Sequence, residues 1–173
     1  FSKKHNLKIA SIEDLISHRL ENEKLISNAG NKKIKIKKFG LFNLNIFKNK
    51  LDGLDHYAIT KGKFNLNKSI RVRVISVKTP KRLEKLNNSI FIQSMKHLSK
   101  FNNFALIVIK NKNLNTIKGE SIKSSNILRY YGIGAQIIKD LKIKNMILVS
   151  RSRKKIIGLD GYGIKITKQE TIE

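Results

Sequence analysis

Cysteine is absent from all 173 residues. That absence removes disulfides, thiolate nucleophiles and every zinc site built on sulfur. Tryptophan is missing as well, and the single proline is Pro80. Acidic residues are scarce, 12 against 37 lysines and arginines, so the formal net charge is +25. No run reaches the roughly 18 apolar residues of a membrane helix, and no signal-peptide core with a small-residue cleavage site follows the start. A membrane partner is therefore not expected, and the expected compartment is the cytoplasm. What the chain does have is 40% hydrophobic residues, enough for one substantial core and too many for a disordered chain. It begins at Phe1 without an initiator Met and reads as a piece of a longer polypeptide.

The cation excess raises a nucleic-acid hypothesis. The lysines run through the whole chain in company with Asn and Ile. Strongly AT-rich coding DNA would produce the same trio, so charge alone says little about partners. No aromatic-plus-basic RNA-binding signature, zinc finger or heptad basic region is present. Nonspecific, salt-sensitive binding to polyanions is expected.

Along the chain, Ser11 and Asp14 resemble a capping box, with Ile12, Leu15, Ile16 and Leu20 marking one helix face. Glu21–Lys33 is polar, contains Asn28-Ala29-Gly30-Asn31, and reads as a linker. Ile34–Lys38 and Leu41–Phe47 alternate apolar and polar residues, which predicts a hairpin around Phe39-Gly40; Asp52-Gly53 marks a further turn. Ser69–Val77 is a strand candidate, and Phe91, Met95, Leu98 and Phe101 are spaced as a helix flank. Phe104–Ile109 is a continuous apolar run, the pattern of a strand covered on both faces.

In Leu128–Gly163, Ile133, Ile137, Ile138 and Leu141 suit a helix packed on one face. The strand-like run Met146–Val149 and the basic polar loop Ser150–Lys155 follow. A helix–strand unit with cations at both ends can hold a phosphate. The plainer alternative is an ordinary core unit with solvated lysines. Strands alternating with helices predict a three-layer α/β sandwich with a mixed sheet from about Lys33 onward. His5, His18, His56 and His97 are scattered, and a metal site needs several converging ligands, so His56 reads as structural and His97 as an exposed or satisfied histidine beside the helix stripe.

The wording of the last third narrows this. R-x-Y-G-I-G-A-Q-I-I-x-D-L from Arg129, then a strand, Ser150, a basic pair and G-L-D-G-Y-G-I from Gly158 closely resemble the C-terminal part of the GTP cyclohydrolase II family of riboflavin biosynthesis. Phe1–Arg19 is similar to the end of a 3,4-dihydroxy-2-butanone 4-phosphate synthase domain, which many bacteria fuse ahead of the cyclohydrolase. The resemblance implies three parts: residues 1–26 as the synthase tail, 27–33 as linker and 34–173 as a cyclohydrolase II-like α/β sandwich.

In that family zinc activates water to open the purine imidazole ring and release formate, while an arginine attacks the α-phosphate and releases pyrophosphate. The resemblance puts Arg129 on the nucleophilic arginine, but Ile127 stands where the family has its general-base Asp. It aligns Arg73 and Ser76 with a strand ending R-V-H-S-E-C, and Ser150 and Lys155 with a Thr and a Lys that contact the nucleotide. Ile75, Val77 and Lys78 replace the His, Glu and Cys of that strand, and the loop that follows has no G-x-x-R-C-D-C counterpart. After Ile109 the family's E-G-R-G-I-G is missing too.

The expected reading is a degenerate cyclohydrolase II domain without a metal cofactor, with Arg73, Ser76, Arg129, Ser150 and Lys155 facing GTP or another nucleotide. It would serve as a structural, homodimer-forming or regulatory module beside an upstream synthase domain. The alternatives are a working cyclohydrolase, producing a diaminopyrimidine ribosyl phosphate, formate and pyrophosphate, and a basic nucleic-acid-binding module.

Overall fold

The computed structural model describes residues 1–11, 14, 18, 22–65, 67–78, 83, 86–111, 124–153, 156 and 159–172; for 124–131 and 160 it describes the backbone alone. The first half of the chain forms three strands, β1 (Ile26–Ile36), β2 (Gly40–Asn49) and β3 (Asp55–Lys61). The second half alternates strand and helix: β4 (Ile70–Val77), α1 (Ser89–Leu98), β5 (Phe104–Lys110), α2 (Ser124–Asp140), β6 (Asn145–Ser150) and β7 (Lys165–Thr171). The strands make one sheet in the order β1-β2-β3-β5-β4-β6-β7. β1 to β3 join β5 through antiparallel pairs, whereas β5, β4, β6 and β7 run parallel. With α1 on one face and α2 on the other, this is the expected three-layer α/β arrangement with a mixed sheet.

Period-two alternation divides the core in two. Ala105, Ile107 and Ile109 of β5 pack with Ile133, Ile137 and Ile138 of α2. Phe104, Leu106 and Val108 pack with Phe91, Met95 and Leu98 of α1. The continuous apolar run of β5 therefore follows from burial on both faces. Asn88 caps α1 by accepting from the Ile90 N–H at 2.9 Å, and the helix ends at Leu98, leaving Phe101 in the turn beyond it.

Both predicted turns are present. Phe39 N–H donates to the Ile36 carbonyl at 3.0 Å in the β1–β2 hairpin, and Asp52 Oδ1 accepts from Leu54 N–H at 3.0 Å beside Gly53. Residues 27–33, expected as a linker, are instead part of β1, so the sheet begins at Ile26 and not near Lys33. Backbone pairing with β2 makes this stretch a strand although Asn28–Lys33 expose their side chains. The register shifts between Asn28 and Gly30, with Ala29 as the extra residue. The phase change lets Ile26 enter the α2-side core while Ile34 and Ile36 enter the α1-side core. β7 was not anticipated, because Ile166 is its one apolar residue.

The Ser11–Asp14 box is formed, with Asp14 N–H donating to Ser11 Oγ and Ser11 N–H to Asp14 Oδ2, each at 3.0 Å. The helix face expected at Ile12, Leu15, Ile16 and Leu20 lies outside the described residues. The segment just after it is tied to α2 by one side chain. Buried Gln136 accepts from Leu25 N–H at 2.9 Å and donates to the Glu23 carbonyl at 2.7 Å. A side-chain amide thus reproduces the pairing of a neighbouring strand.

Arg71 ties β4 to β7 across β6, its Nε and Nη2 donating to the Glu170 carboxylate at 3.0 and 3.1 Å. Its guanidinium also lies 3.6 Å from the Phe101 ring centre. His97 Nε2 stands 3.9 Å from the same carboxylate. Burial pushes Glu170 up, but the Arg71 bond and the charges of Arg71, Lys168 and His97 outweigh it and leave the carboxyl below its usual value. Burial also lowers His97; Glu170 opposes this, while Lys100, Arg71 and Arg73 reinforce it.

Both folded-state pKa values are depressed, so each group stabilises the fold above its unfolded pKa and loses that contribution as the pH falls through the folded one. Urea midpoints should hold at neutral pH and decline below about 6.5 and again below about 4.5, the unfolded values of the two groups. His97→Gln should flatten the first decline, and an unchanged profile would remove His97 from the account.

Two glycines should respond oppositely to alanine. A Cβ on Gly134 would meet Val74 at 3.5 Å, an ordinary contact, so Gly134→Ala should stabilise α2 by about 1 kcal/mol through helix propensity. Gly62 has φ +79° and a Cβ there would collide with the Asn102 carbonyl and the Asn103 side chain. Gly62→Ala should destabilise by roughly 2 kcal/mol or more. Equilibrium unfolding of the two variants checks both signs.

Candidate functional site

Connections leave the sheet on opposite faces after β4 and β5, to α1 and α2 respectively. Open α/β sheets bind ligands in the crevice at the carboxyl ends of strands where this divergence occurs. Ser76 and Val77 end β4, Lys110 ends β5 and Ser150 ends β6, so the expected site residues of these strands gather toward that edge.

They do not share one face. Arg73 and Ser76 are three apart on a strand and point to opposite sides. Ser76 follows Val74 on the α2 side, opposite Ile109 in the ladder. Its Oγ is buried and makes no hydrogen bond among the described residues. Ser150 is on the same side, beside a cavity of about 80 Å³ lined by Val74, Gly134, Ile138, Ile156 and Leu159 among others. Its hydroxyl donates to the Ser152 carbonyl at 2.6 Å. Arg129 falls in the second turn of α2, which approaches this side; its side chain and all of Lys155 lie outside the described residues.

Arg73 is on the α1 side and only 3% exposed. Its Nε donates to Ser94 Oγ at 2.6 Å and its Nη1 to the Val149 carbonyl at 3.4 Å. No carboxylate of a described residue pairs with it. Burial lowers its pKa from the usual guanidinium value, and the nearby Arg151 charge lowers it further. Arg151 is exposed and reaches Gln93 Oε1 at 3.5 Å. A buried cation held, among the described residues, by neutral oxygens, with a second cation beside it, is costly without an anion. Ser94 and Arg151 were not singled out from sequence; the signal for Ser94 is a hydroxyl in the apolar stripe Phe91-Met95-Leu98.

The histidines serve the scaffold. His56 is 1% exposed, and its Nδ1 accepts from Lys110 N–H at 3.1 Å, fixing the end of β5. Asn22 Nδ2 lies 3.2 Å from His18 Nδ1 at the exposed N-terminal segment, and His5 stacks near Phe1. Among the described residues, no three His, Asp or Glu side chains converge as metal ligands. With no cysteine in the chain, the residues present do not fit the three-thiolate zinc centre that the cyclohydrolase resemblance implies. The loop that would carry it, like the segment after β5, falls mostly on residues outside the described set.

Comparison with known proteins places this geometry. The family model described as GTP cyclohydrolase II matches residues 90–171, beginning after β4. The riboflavin biosynthesis protein RibBA of Aquifex aeolicus is 27% identical over the whole of this chain and 48% of its own length. A 3,4-dihydroxy-2-butanone 4-phosphate synthase of Photobacterium phosphoreum is 29% identical over 97% of this chain and 49% of its own length. Among solved structures, RibBX, a two-domain 3,4-dihydroxy-2-butanone 4-phosphate synthase from A. baumannii, superposes with a TM-score of 0.71 at 26% identity, covering all of this chain and 47% of that one. The chain thus spans about half the length of these relatives. Over residues 90–171 the chain is similar to GTP cyclohydrolase II, and over nearly its whole length to RibBA and 3,4-dihydroxy-2-butanone 4-phosphate synthase proteins.

Proposed function

We propose that this domain has lost cyclohydrolase chemistry and acts in riboflavin biosynthesis as a structural, dimer-forming or regulatory module beside a 3,4-dihydroxy-2-butanone 4-phosphate synthase. The observation that carries the reading is the cysteine-free sequence joined to a well-kept Leu128–Gly163 block. Opening the imidazole ring calls for an activated water, and the ligand set that would bind the activating metal is gone. Ile127 replaces the general base beside Arg129, so Arg129 is left to bind and not to attack. Two matches that span nearly all of this chain, the Photobacterium and A. baumannii proteins, are named for the synthase alone, which agrees with a cyclohydrolase-like half whose task is no longer hydrolysis. The expected compartment is the cytoplasm, and no helix among the described residues is long and apolar enough to cross a membrane.

The anion side is retained in this reading. Arg73 with no carboxylate partner among the described residues, Arg151 beside it, and Ser76 with a buried hydroxyl that none of them engages stand along the crevice edge, with Arg129, Ser150 and Lys155 supplying the phosphate contacts. GTP incubated with the protein and added zinc should yield neither formate nor pyrophosphate. Formate release would overturn the degenerate reading, and pyrophosphate alone would return Arg129 to a nucleophilic role. Calorimetric titration should show salt-sensitive GTP binding that weakens about tenfold or more in Arg129→Ala, the loss of one charge-assisted contact.

A further inference from the structure

The β1–β2 hairpin carries a second basic surface at the other end of the sheet. From Lys24 to Leu51 the chain has eight lysines and no acidic residue. Lys32, Lys33, Lys35, Lys37 and Lys38 are all exposed. One face of the hairpin is closed, because Ile34, Ile36, Phe42 and Leu44 are buried in the α1-side core. The opposite face is open toward the turn, whereas Ile26 and Phe47 close its far end in the α2-side core and Thr60 is buried at its inner edge. There Lys33 stands across from Asn43, and Asn43 across from Thr60; Asn31 stands across from Asn45, and Lys35 across from Leu41. Lys33, Asn43, Thr60 and Lys61 line a shallow groove of about 140 Å³. Thr60 pairs with Ala105 near the start of β5, so this surface is remote from the carboxyl-end crevice.

We propose that this open hairpin face binds the phosphate backbone of a nucleic acid. Side chains two apart on a strand project roughly 6.6 Å apart on one face, so Lys33 and Lys35 repeat at a spacing close to that of adjacent phosphates in an extended strand. The flanking amides and Lys groups are the donors that phosphate and sugar oxygens accept. Leu41 is the one large apolar side chain exposed on the hairpin, and a protein partner would need a packed aromatic or apolar anchor. Phe42 is buried, so no base-stacking platform is offered by it and recognition is of backbone without sequence preference. Residues 56–83 and 85–119 lack acids too, so the missing acids alone do not mark the hairpin; its mark is the density of five exposed lysines within residues 32–38. Lysine on an edge strand also deters strand pairing, but that role does not require Lys61 of β3, inside the sheet, to line the same groove.

The proposal is independent of the nucleotide reading, and anisotropy with a labelled mixed-sequence single-stranded RNA tests it. K33Q/K35Q/K37Q is compared with K96Q/K100Q/K144Q, three exposed lysines elsewhere, with circular dichroism confirming that both variants fold. At low salt the hairpin variant should bind at least about tenfold more weakly, and its slope of log affinity against log salt should be shallower by about 2 for an RNA of about 20 nucleotides. The control variant should stay within about twofold, as its lysines make no phosphate contacts in this account. Equal losses in the two variants would show diffuse charge and overturn the proposal. So would absence of binding by the unsubstituted protein, or displacement by polyglutamate as effective as by unlabelled RNA at equal charge.

Discussion

The double-sided burial of β5 is the constraint on which the other elements depend. A strand reading FALIVI cannot expose either face without losing roughly 1.5–3 kcal/mol for each large side chain uncovered. One helix can cover one face only. α1 and α2 therefore leave adjacent strands in opposite directions, and the divergence opens the crevice at the carboxyl end. The place where a ligand can sit is in this sense a by-product of closing the core. The turn end of the β1–β2 hairpin is under no such demand on its α2-side face, beyond the reach of Ile26, Phe47 and Ala58, and it is there that charge accumulates.

The parts legible in the sequence are those where side chains carry the instruction. The run of β5, the stripe Phe91-Met95-Leu98 and the isoleucines of α2 each state a period, and burial follows the period. Residues 27–33 and β7 were opaque because their strand state comes from backbone pairing, to which polar side chains bear no witness. The placement of Arg73 and Ser76 on opposite faces was readable in principle, since an interval of three on a strand reverses the side. The environment of Arg73 was not, because Ser94 and the Val149 carbonyl reach it from 21 and 76 residues away.

On the proposed reading, resemblance and chemistry come apart at the site. The block around α2 and β6 keeps its wording, and α2 packs Ile133, Ile137 and Ile138 into the core. Such positions are held by packing whether or not a reaction takes place nearby. Ligand sets are not held in that way. A loop whose only task was to present sulfur to a metal could, on that reading, shorten and change without disturbing either core, and the stretch after β4 contains no cysteine.

Gln136 bears on where this unit begins. Its amide sits among the isoleucines of α2, yet both of its backbone partners, Glu23 and Leu25, precede the first strand. A truncation that kept the whole sheet but started at Ile26 would strand a polar group inside the protein and open the cleft that Glu23 and Lys24 now wall. The smallest piece that satisfies its own hydrogen bonds thus reaches back past the sheet, into residues that by wording look like the end of another domain. In a protein carrying both parts, the cut that respects sequence resemblance and the cut that respects burial would fall at different residues.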